Sequence, residues 1–563
     1  MTTTRARAGT GWDYVIIGAG SAGCVLAARL TEDPGCRVLL LEAGEATTEL
    51  AERVPALIQK LGAGRNWLYP MDADASRDGV VEPYSAGRGL GGSSATNHMM
   101  WVRGSATDFD GWASEGCDGW DFEHVLPAFR RAERWEGGAS RYRGGAGPQR
   151  VATMRVPHPT TDAFVRAAAR SGFPTNADHN GAVQTGAGIA QVNQRRGLRH
   201  SAADAYLRPT RRRPNLVVRA GATATRIVIE DGRAVGVEIR SNGRAGIVRA
   251  RREVLVSAGA IASPTLLMRS GVGPADALSR LGIAPAVDLP GVGRNLQDHP
   301  AVPLVFEVTE RTLNQELTPL GLLRHGLDFV LRGRGAVTST SCHAVAFGPS
   351  DASTAPEMQL IFQAFGLTAP APDAGAGAPG GRLRRMTARS GGREEGRRQI
   401  AAEALVTVQA ALLHPRVRGE VVLRSADPVD PPTVRHALLG DAGDVRELVE
   451  AARTAREVFA APELARIVIA ERTPGPAVTS TQDWERYLRS AAFRLFHATS
   501  TCRMGIGQDA VVDPRLRVHD VASLRVIDAS VMPSITSGNT NAPTIAIAER
   551  GSDLVREDAA ASV

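Results

Sequence analysis

The spacing Gly18-x-Gly20-x-x-Gly23, with Ser21 and Ala22 inside it, can do phosphate chemistry. Gly20 lets the backbone come up to a pyrophosphate, Gly18 allows a tight turn, and Gly23 lets a helix pack closely on a strand. A helix starting there offers free N–H groups and partial positive charge to an anion. Glu42, followed by Ala43, stands where an acid can accept hydrogen bonds from ribose hydroxyls, and its charge disfavours a 2′-phosphate. This fingerprint alone does not separate NAD from FAD. The same pattern recurs at Gly87-Gly89-Gly92 and Gly375-Gly377-Gly380, and with 60 glycines in 563 residues it arises by chance. Context has to decide among the three.

Only the first match has elements that could position it. Residues 13–17 (DYVII) read as a short buried strand, 24–30 as a helix with small and apolar residues inward, and 37–41 (RVLLL) as a second buried strand, with Pro34-Gly35 ending the helix. This is a βαβ unit. No apolar strand precedes the second match. Residues 87–97, which include Gly92, Ser93 and Asn97, read as an extended Gly/Ser loop able to lay backbone flat against a planar ligand. The third match lies in a Gly-, Arg- and Ala-rich stretch that reads as an exposed, flexible insertion over 370–398.

The length of 563 residues suggests two or three domains' worth of material, and 43% hydrophobic with 22% charged residues excludes a largely disordered or fibrous chain. No apolar run approaches the ~18 residues of a spanning helix. The first residues carry charge but no separate apolar segment, so a cytoplasmic protein is expected. The net charge is +7, and of the 66 basic residues all but Lys60 are Arg. So lopsided a choice reads as base composition of a genome, and the Arg are interspersed with acids, so no nucleic-acid partner is expected. The five cysteines (Cys24, Cys36, Cys117, Cys342, Cys502) are scattered without a metal-binding spacing, which fits reduced thiols and no metal.

Four separated segments, in order along the chain, then carry a resemblance: 13–44; 87–104 (GRGLGGSSATNHMMWVRG); 259–273 (GAIASPTLLMRSGVG), followed by GVGRNLQDH at 291–299; and 497–549. Together they resemble the glucose-methanol-choline (GMC) flavoprotein oxidoreductases, nearest to the choline dehydrogenase-like branch. The resemblance implies an α/β fold: a discontinuous Rossmann-type FAD-binding domain from 10–155, 196–300 and 495–560, and an antiparallel sheet with helices from 156–195 and 301–494 as the substrate domain. Strand patterns at 215–219, 226–230, 235–240 and 254–257, with an Asp231-Gly232 hairpin turn, are compatible. It further implies that Ala224 meets the adenine and that Asp528-Ala529, at the end of a strand, meet FAD.

Oxidising an alcohol with a flavin needs a base for the hydroxyl proton, a hydride facing flavin N5, and stabilisation of negative charge on the reduced ring. By resemblance His497 is the base, and imidazole suits proton transfer near neutral pH. Its partner is Asn539, which can donate to a developing alkoxide but cannot act as base. Asn541 holds the local turn or the flavin. Pro543 opens a helix whose N-terminus, if it points at the flavin, would stabilise the reduced ring. Phe496, Ala498 and Ser500 stand where relatives usually have Tyr, Pro and Gly. Thr96 occupies the place of the His that links FAD covalently in some relatives, so non-covalent FAD is expected. His98 and Cys342 are read as packing residues. The expected partners are a small-molecule alcohol and an electron acceptor, oxygen, quinone or other, with a non-oxygen acceptor favoured. The alternatives are an oxidase, or a non-redox lyase or photodecarboxylase on the same fold.

Overall fold

The structure, a computed structural model, describes residues 11–316, 318–348, 355–368, 399–400 and 403–561. The expected βαβ unit is present: β1 (Trp12–Ile17), α1 (Ser21–Leu30) and β2 (Val38–Leu41). Both strands are apolar on successive residues because both faces are covered, the signature of a parallel strand inside an α/β layer. β1 pairs in parallel with β2 (Ile17 opposite Leu41) and with the strand Arg244–Val256 (Ile17 opposite Val256). Leu524–Val526 adds to the far side of that strand, and Leu216–Arg219 to the far side of β2. Three distant stretches of chain therefore build one parallel layer.

The strand ending at Val256 is 13 residues long, far longer than the short apolar run at its end suggests. Its first ten residues are Arg-rich and largely exposed, so hydrophobic patterning hides them. They are strand because 244–249 pair with Arg233–Ser241, which in turn pairs with Ala222–Glu230, and Ala250 and Glu253 pair with β1. The turn between the latter two has positive φ at Asp231 (48°) and Gly232 (73°), as a two-residue hairpin requires.

A second sheet is antiparallel. Its strands run in the order Val468–Thr473, Pro300–Val308, Leu405–Leu412, Met358–Gln363, Ala344–Gly348, Gly186–Ile189. One face is covered by the helices Pro159–Arg170 and Ala442–Ala460, where Phe164 stacks on Phe362 and Phe306 on Phe459 with centroids 4.8 and 3.8 Å apart. On the opposite face, Phe347 reaches to 3.6 Å from where a Cβ on Gly538 would stand.

The C-terminal helix Asn541–Ala561 carries Pro543 in its first turn and starts two residues earlier than Pro543 implies. It is clamped to α1 by the fully buried Glu549, which takes Arg29 Nε at 2.8 Å, Arg131 Nε at 2.7 Å and the Tyr206 hydroxyl at 2.8 Å. The two guanidiniums offset the burial of that carboxylate. Among the described residues no helix is long and apolar enough to cross a membrane, and no cluster of His, Cys, Asp and Glu could hold a metal. The expected insertion at 370–398 lies outside the described residues.

Candidate active site

At the first glycine turn the three glycines do different jobs. Gly18 has φ +97°, and a Cβ there would lie 2.4 Å from the Ser257 carbonyl oxygen; a Cβ on Gly23 would lie 1.8 Å from the Gly18 carbonyl oxygen. These two are packing requirements. A Cβ on Gly20 would meet nothing within 4 Å. Gly20 thus opens onto free space at the start of α1, which has no side-chain cap and no acid in its first turn. Those free N–H groups suit a pyrophosphate. Ser21 Oγ donates to Asn541 Oδ1 at 2.8 Å, which joins the starts of the first and last helices, and Ala22 is buried behind them.

Glu42 is buried and accepts the amides of Ala19 (2.9 Å), Gly44 (2.8 Å) and Gly89 (3.1 Å). Burial raises its pKa and the three amides oppose the rise. A carboxylate has about four lone-pair sites, so one remains for a ribose hydroxyl. Ala43 beside it is half-buried. The Ala222 amide donates to the Glu42 carbonyl at 2.9 Å, which brings the strand bearing Ala224 to the same end of the cleft.

The second glycine segment lies directly on the first. Gly91 N donates to Ala19 O at 2.8 Å, and a Cβ on Gly92 would sit 2.7 Å from Gly20 Cα. Ser93 Oγ accepts from Gly87 N at 3.0 Å and opens the turn of helix Ser93–Thr96. Asn97 follows, its Oδ1 accepting from Met99 N at 2.9 Å and from the Arg199 guanidinium at 2.8 Å. The next residue, His98, does not pack as expected. The residue is exposed, while desolvation by the protein around it, with the Arg199 charge next, pushes its pKa down to about 4. A continuous strip of backbone therefore runs from the glycine turn at Gly20 to His98.

The far end of the cleft holds His497 and Asn539. His497 is 9% exposed, and burial, with His98 next in effect, pushes its pKa down to about 3. Its Nε2 lies 3.1 Å from Asn539 Nδ2 and its Nδ1 lies 2.9 Å from His299 Nδ1. His299 Nε2 in turn faces the Leu413 carbonyl at 3.0 Å. A carbonyl only accepts, so His299 Nε2 carries its proton and Nδ1 accepts. The bond between the two rings then needs the proton on His497 Nδ1. His497 Nε2 is left unprotonated, and its lone pair accepts from the Asn539 amide Nδ2–H. The Asn539 Oδ1 is buried without a partner.

Two further buried groups hold the His497 backbone. Asp298 Oδ1 accepts from His497 N at 2.8 Å, and its Oδ2 accepts from the Tyr84 hydroxyl at 2.6 Å. The Tyr84 oxygen accepts from Ala498 N at 2.9 Å. Burial pushes Asp298 up to about 6. Phe496 (φ +59°) and Ser500 (φ +73°) bracket this segment in the left-handed region, which explains why a glycine is usual at the second position. The loop before Asn539 is pinned by Asp108, which accepts from Ser537 N and Oγ, both at 2.7 Å.

Other expected residues sit differently. Asp528 is buried and spends its carboxylate on Ser530 N and Oγ, Gly259 N and Ser263 Oγ, so its side chain shapes the wall between strand and cleft. The adjoining Ala529 is half-exposed. Cys342 is fully buried, its thiol directed at the Ala344 carbonyl at 3.6 Å, in keeping with packing. Reading the chain gave no role to Asp298, His299, Tyr84, Asp108 or Arg199. The Asp-His pair ending GVGRNLQDH was the one visible signal; Tyr84 and Asp108 had none, because only folding brings them to residues hundreds of positions away.

The cleft therefore offers an open anion site, an acid for ribose, a flat Gly/Ser strip and, beyond it, an orphaned buried amide oxygen beside a proton acceptor. These features fit FAD. The comparisons agree. The choline dehydrogenase of human mitochondria is 38% identical over 558 residues, 97% of this chain and 90% of that protein. An oxygen-dependent choline dehydrogenase of Burkholderia pseudomallei is 38% identical over 555 residues, 97% and 94% of the two chains. Among solved structures, pyridoxine 4-oxidase from Mesorbium loti matches with TM-score 0.84 at 29% identity, over 97% and 99% of the chains. A formate oxidase matches with TM-score 0.85 at 26% identity, over 98% and 99%. The family models described as GMC oxidoreductase match residues 12–301 and 415–548. This chain belongs to the GMC oxidoreductase family of FAD-dependent enzymes acting on CH–OH donors.

Proposed function

We propose that His497 and Asn539 form the catalytic pair that oxidises the CH–OH group of an alcohol to a carbonyl. The observation that carries this is the His299–His497–Asn539 chain, which leaves the unprotonated His497 Nε2 and the Asn539 Nδ2–H facing each other, a donor and an acceptor that a substrate hydroxyl can take up together. FAD, when bound, supplies the hydride acceptor at its isoalloxazine N5. The substrate hydroxyl donates to His497 Nε2. As it loses its proton, Asn539 Nδ2–H donates to the oxygen and stabilises its charge. His497 Nδ1–H stays directed at His299, so the ring cannot turn its protonated edge to the substrate. Protonating His497 alone is opposed by burial; protonation coupled to an oxygen losing its proton one hydrogen bond away forms the two charges as a pair.

For the cofactor, the reading assigns Gly18, Gly20, Ser21, Ala22 and Gly23 to the pyrophosphate turn, Glu42, Ala43 and Ala224 to the ribose and adenine end, and Gly92, Ser93, Asn97, Asp528, Ala529 and Asn541 to the flavin half. Thr96 supports non-covalent attachment, since its hydroxyl does not replace a linking imidazole. The division into an FAD-binding and a substrate domain is supported by the two separate sheets and their two apolar cores. Over the acceptor the relatives' names divide: the human choline dehydrogenase's name gives none, which leaves room for one other than oxygen, and the Burkholderia enzyme is named oxygen-dependent; five scattered, buried free cysteines support a cytoplasmic setting.

Anaerobic titration of the yellow holoprotein with a panel of alcohols should bleach the flavin, and the bleached form should persist when air is admitted. His497→Ala should keep the yellow colour and slow bleaching at least ~100-fold, the usual contribution of a positioned acid–base group. Near-normal bleaching in that variant sinks the assignment.

A further inference from the structure

Arg199 is 5% exposed, and among the described residues no carboxylate pairs with it. Its guanidinium is held by four oxygens of neutral groups: Nε donates to Glu52 O at 2.8 Å, Nη1 to Ser94 O at 3.2 Å and Asn97 Oδ1 at 2.8 Å, and Nη2 to Asn97 O at 2.5 Å. The two acids whose charge reaches it are engaged elsewhere. Glu52 lies 3.0 Å from Arg65, and Asp204 accepts from Ser201. Burial lowers the Arg199 pKa to about 9, which leaves it charged at neutral pH.

A buried, uncompensated cation is expensive, and loop-tying alone does not need one, since a neutral amide can also donate to carbonyls. The position of the charge matters more. Arg199 grips the middle and end of the strip that starts on Gly20 and ends at His98, and His98 is within electrostatic reach of both Arg199 and His497. The guanidinium thus binds the end of the strip at Asn97, from which the chain runs on to Val102, whose side chain lies 2.7 Å from where a Cβ on Gly538 beside Asn539 would stand, past the stretch that meets the phosphate turn.

We propose that Arg199 is a positioning residue with an electrostatic role: it ties the 94–97 backbone in place and supplies positive potential to the isoalloxazine end of the FAD site, favouring the negative charge the ring gains on reduction. This rests on the cofactor placement proposed above. Its consequences concern the potential of the flavin and not the proton transfer at His497, so the two readings fail separately.

The test compares Arg199→Gln, which keeps donors and loses charge, with Arg199→Lys, which keeps charge and loses the fork. In purified holoprotein, the flavin midpoint potential is measured by dye equilibration, and the affinity for inorganic sulfite, which adds to the ring and leaves it anionic, by absorbance titration. Arg199→Gln should weaken sulfite binding at least tenfold and lower the two-electron potential by at least about 30 mV, the equivalent of tenfold in the equilibrium constant. Arg199→Lys should stay within about threefold of the parent. FAD affinity, measured by fluorescence on reconstitution, separates the rival placement: weakened FAD binding with an unmoved potential in Arg199→Gln would assign the charge to the pyrophosphate and overturn the proposal. Unchanged sulfite affinity and potential in Arg199→Gln would overturn it as well. If Arg199→Gln retains no FAD, Arg199→Met and Arg199→Lys are reconstituted with excess FAD, and equal potentials in that pair refute the charge effect.

Discussion

As the proposed base, His497 is marked out by its neighbours more than by its residue type. The Leu413 carbonyl sets the proton on His299, His299 sets the proton on His497, and the lone pair ends up where a substrate oxygen can use it. His299→Phe removes the acceptor for His497 Nδ1–H and lets the tautomer and ring orientation drift. It should slow flavin bleaching at least tenfold in stopped-flow reduction with FAD content unchanged, because a wrong tautomer presents N–H where a lone pair is needed. Bleaching at the parental rate would show that His497 holds its tautomer without this partner. Tyr84→Phe tests the other support. It leaves Asp298 Oδ2 and the Ala498 amide without their bonds in a buried place. The expected loss is about 1–3 kcal/mol of stability, read as a lowered unfolding midpoint in denaturant.

Among the elements, the βαβ unit gives the sharpest contrast between packing and binding. Gly20→Ala adds a methyl group to open space with a backbone (φ −76°) that alanine adopts freely. The apoprotein should unfold within about 0.5 kcal/mol of the parent, as for an exposed substitution. FAD affinity should fall at least tenfold, because the methyl stands where a phosphate would approach. Gly23→Ala should do the reverse in order of cause: a Cβ at 1.8 Å from a backbone oxygen forces α1 off its strand, and the protein should lose its fold or much of its thermal stability. Parental FAD binding by Gly20→Ala would remove the pyrophosphate from this turn. The C-terminal helix belongs to the same assembly. Its start touches Ser21 and its middle is neutralised by Arg29 and Arg131, so the last residues of the chain complete the site begun by the first.

Over the whole molecule, burial of imidazoles makes stability sensitive to acid. Burial is the leading cause that pushes His179 and His200 to about 4 and His343, His436 and His497 to about 3, against an unfolded value near 6.5. Above pH 6.5 these rings are neutral folded or unfolded and cost nothing extra. Below it the unfolded chain takes up protons that the folded chain refuses, so each ring costs about 1.4 kcal/mol per pH unit until its folded value is reached. Asp298, raised to about 6, and Glu42, Glu52 and Asp108, also raised by burial, work the other way but are fewer than the imidazoles pushed down. The unfolding temperature should therefore fall steeply between pH 6.5 and 5 in scanning calorimetry; a flat profile there would mean that these rings are hydrated. The chain's own text was enough for β1, α1, β2, the close packing at Gly18 and Gly23 and the Asp231-Gly232 turn, because each is written in a few adjacent residues; it also put forward His497 and Asn539, which the fold brings within 3.1 Å of each other. The length of the Arg-rich strand ending at Val256 was hidden, since pairing and not hydrophobic burial makes it a strand. The supports of the site were hidden too. Tyr84, Asp298, His299 and Arg199 act through hydrogen bonds to residues far along the chain, and a bond between distant residues exists only once two sheets and two termini have been folded onto one cleft. Local patterning carries the elements and the chemically obvious side chains; the protonation states and charges that make them work are properties of their enclosure, which only the tertiary structure creates.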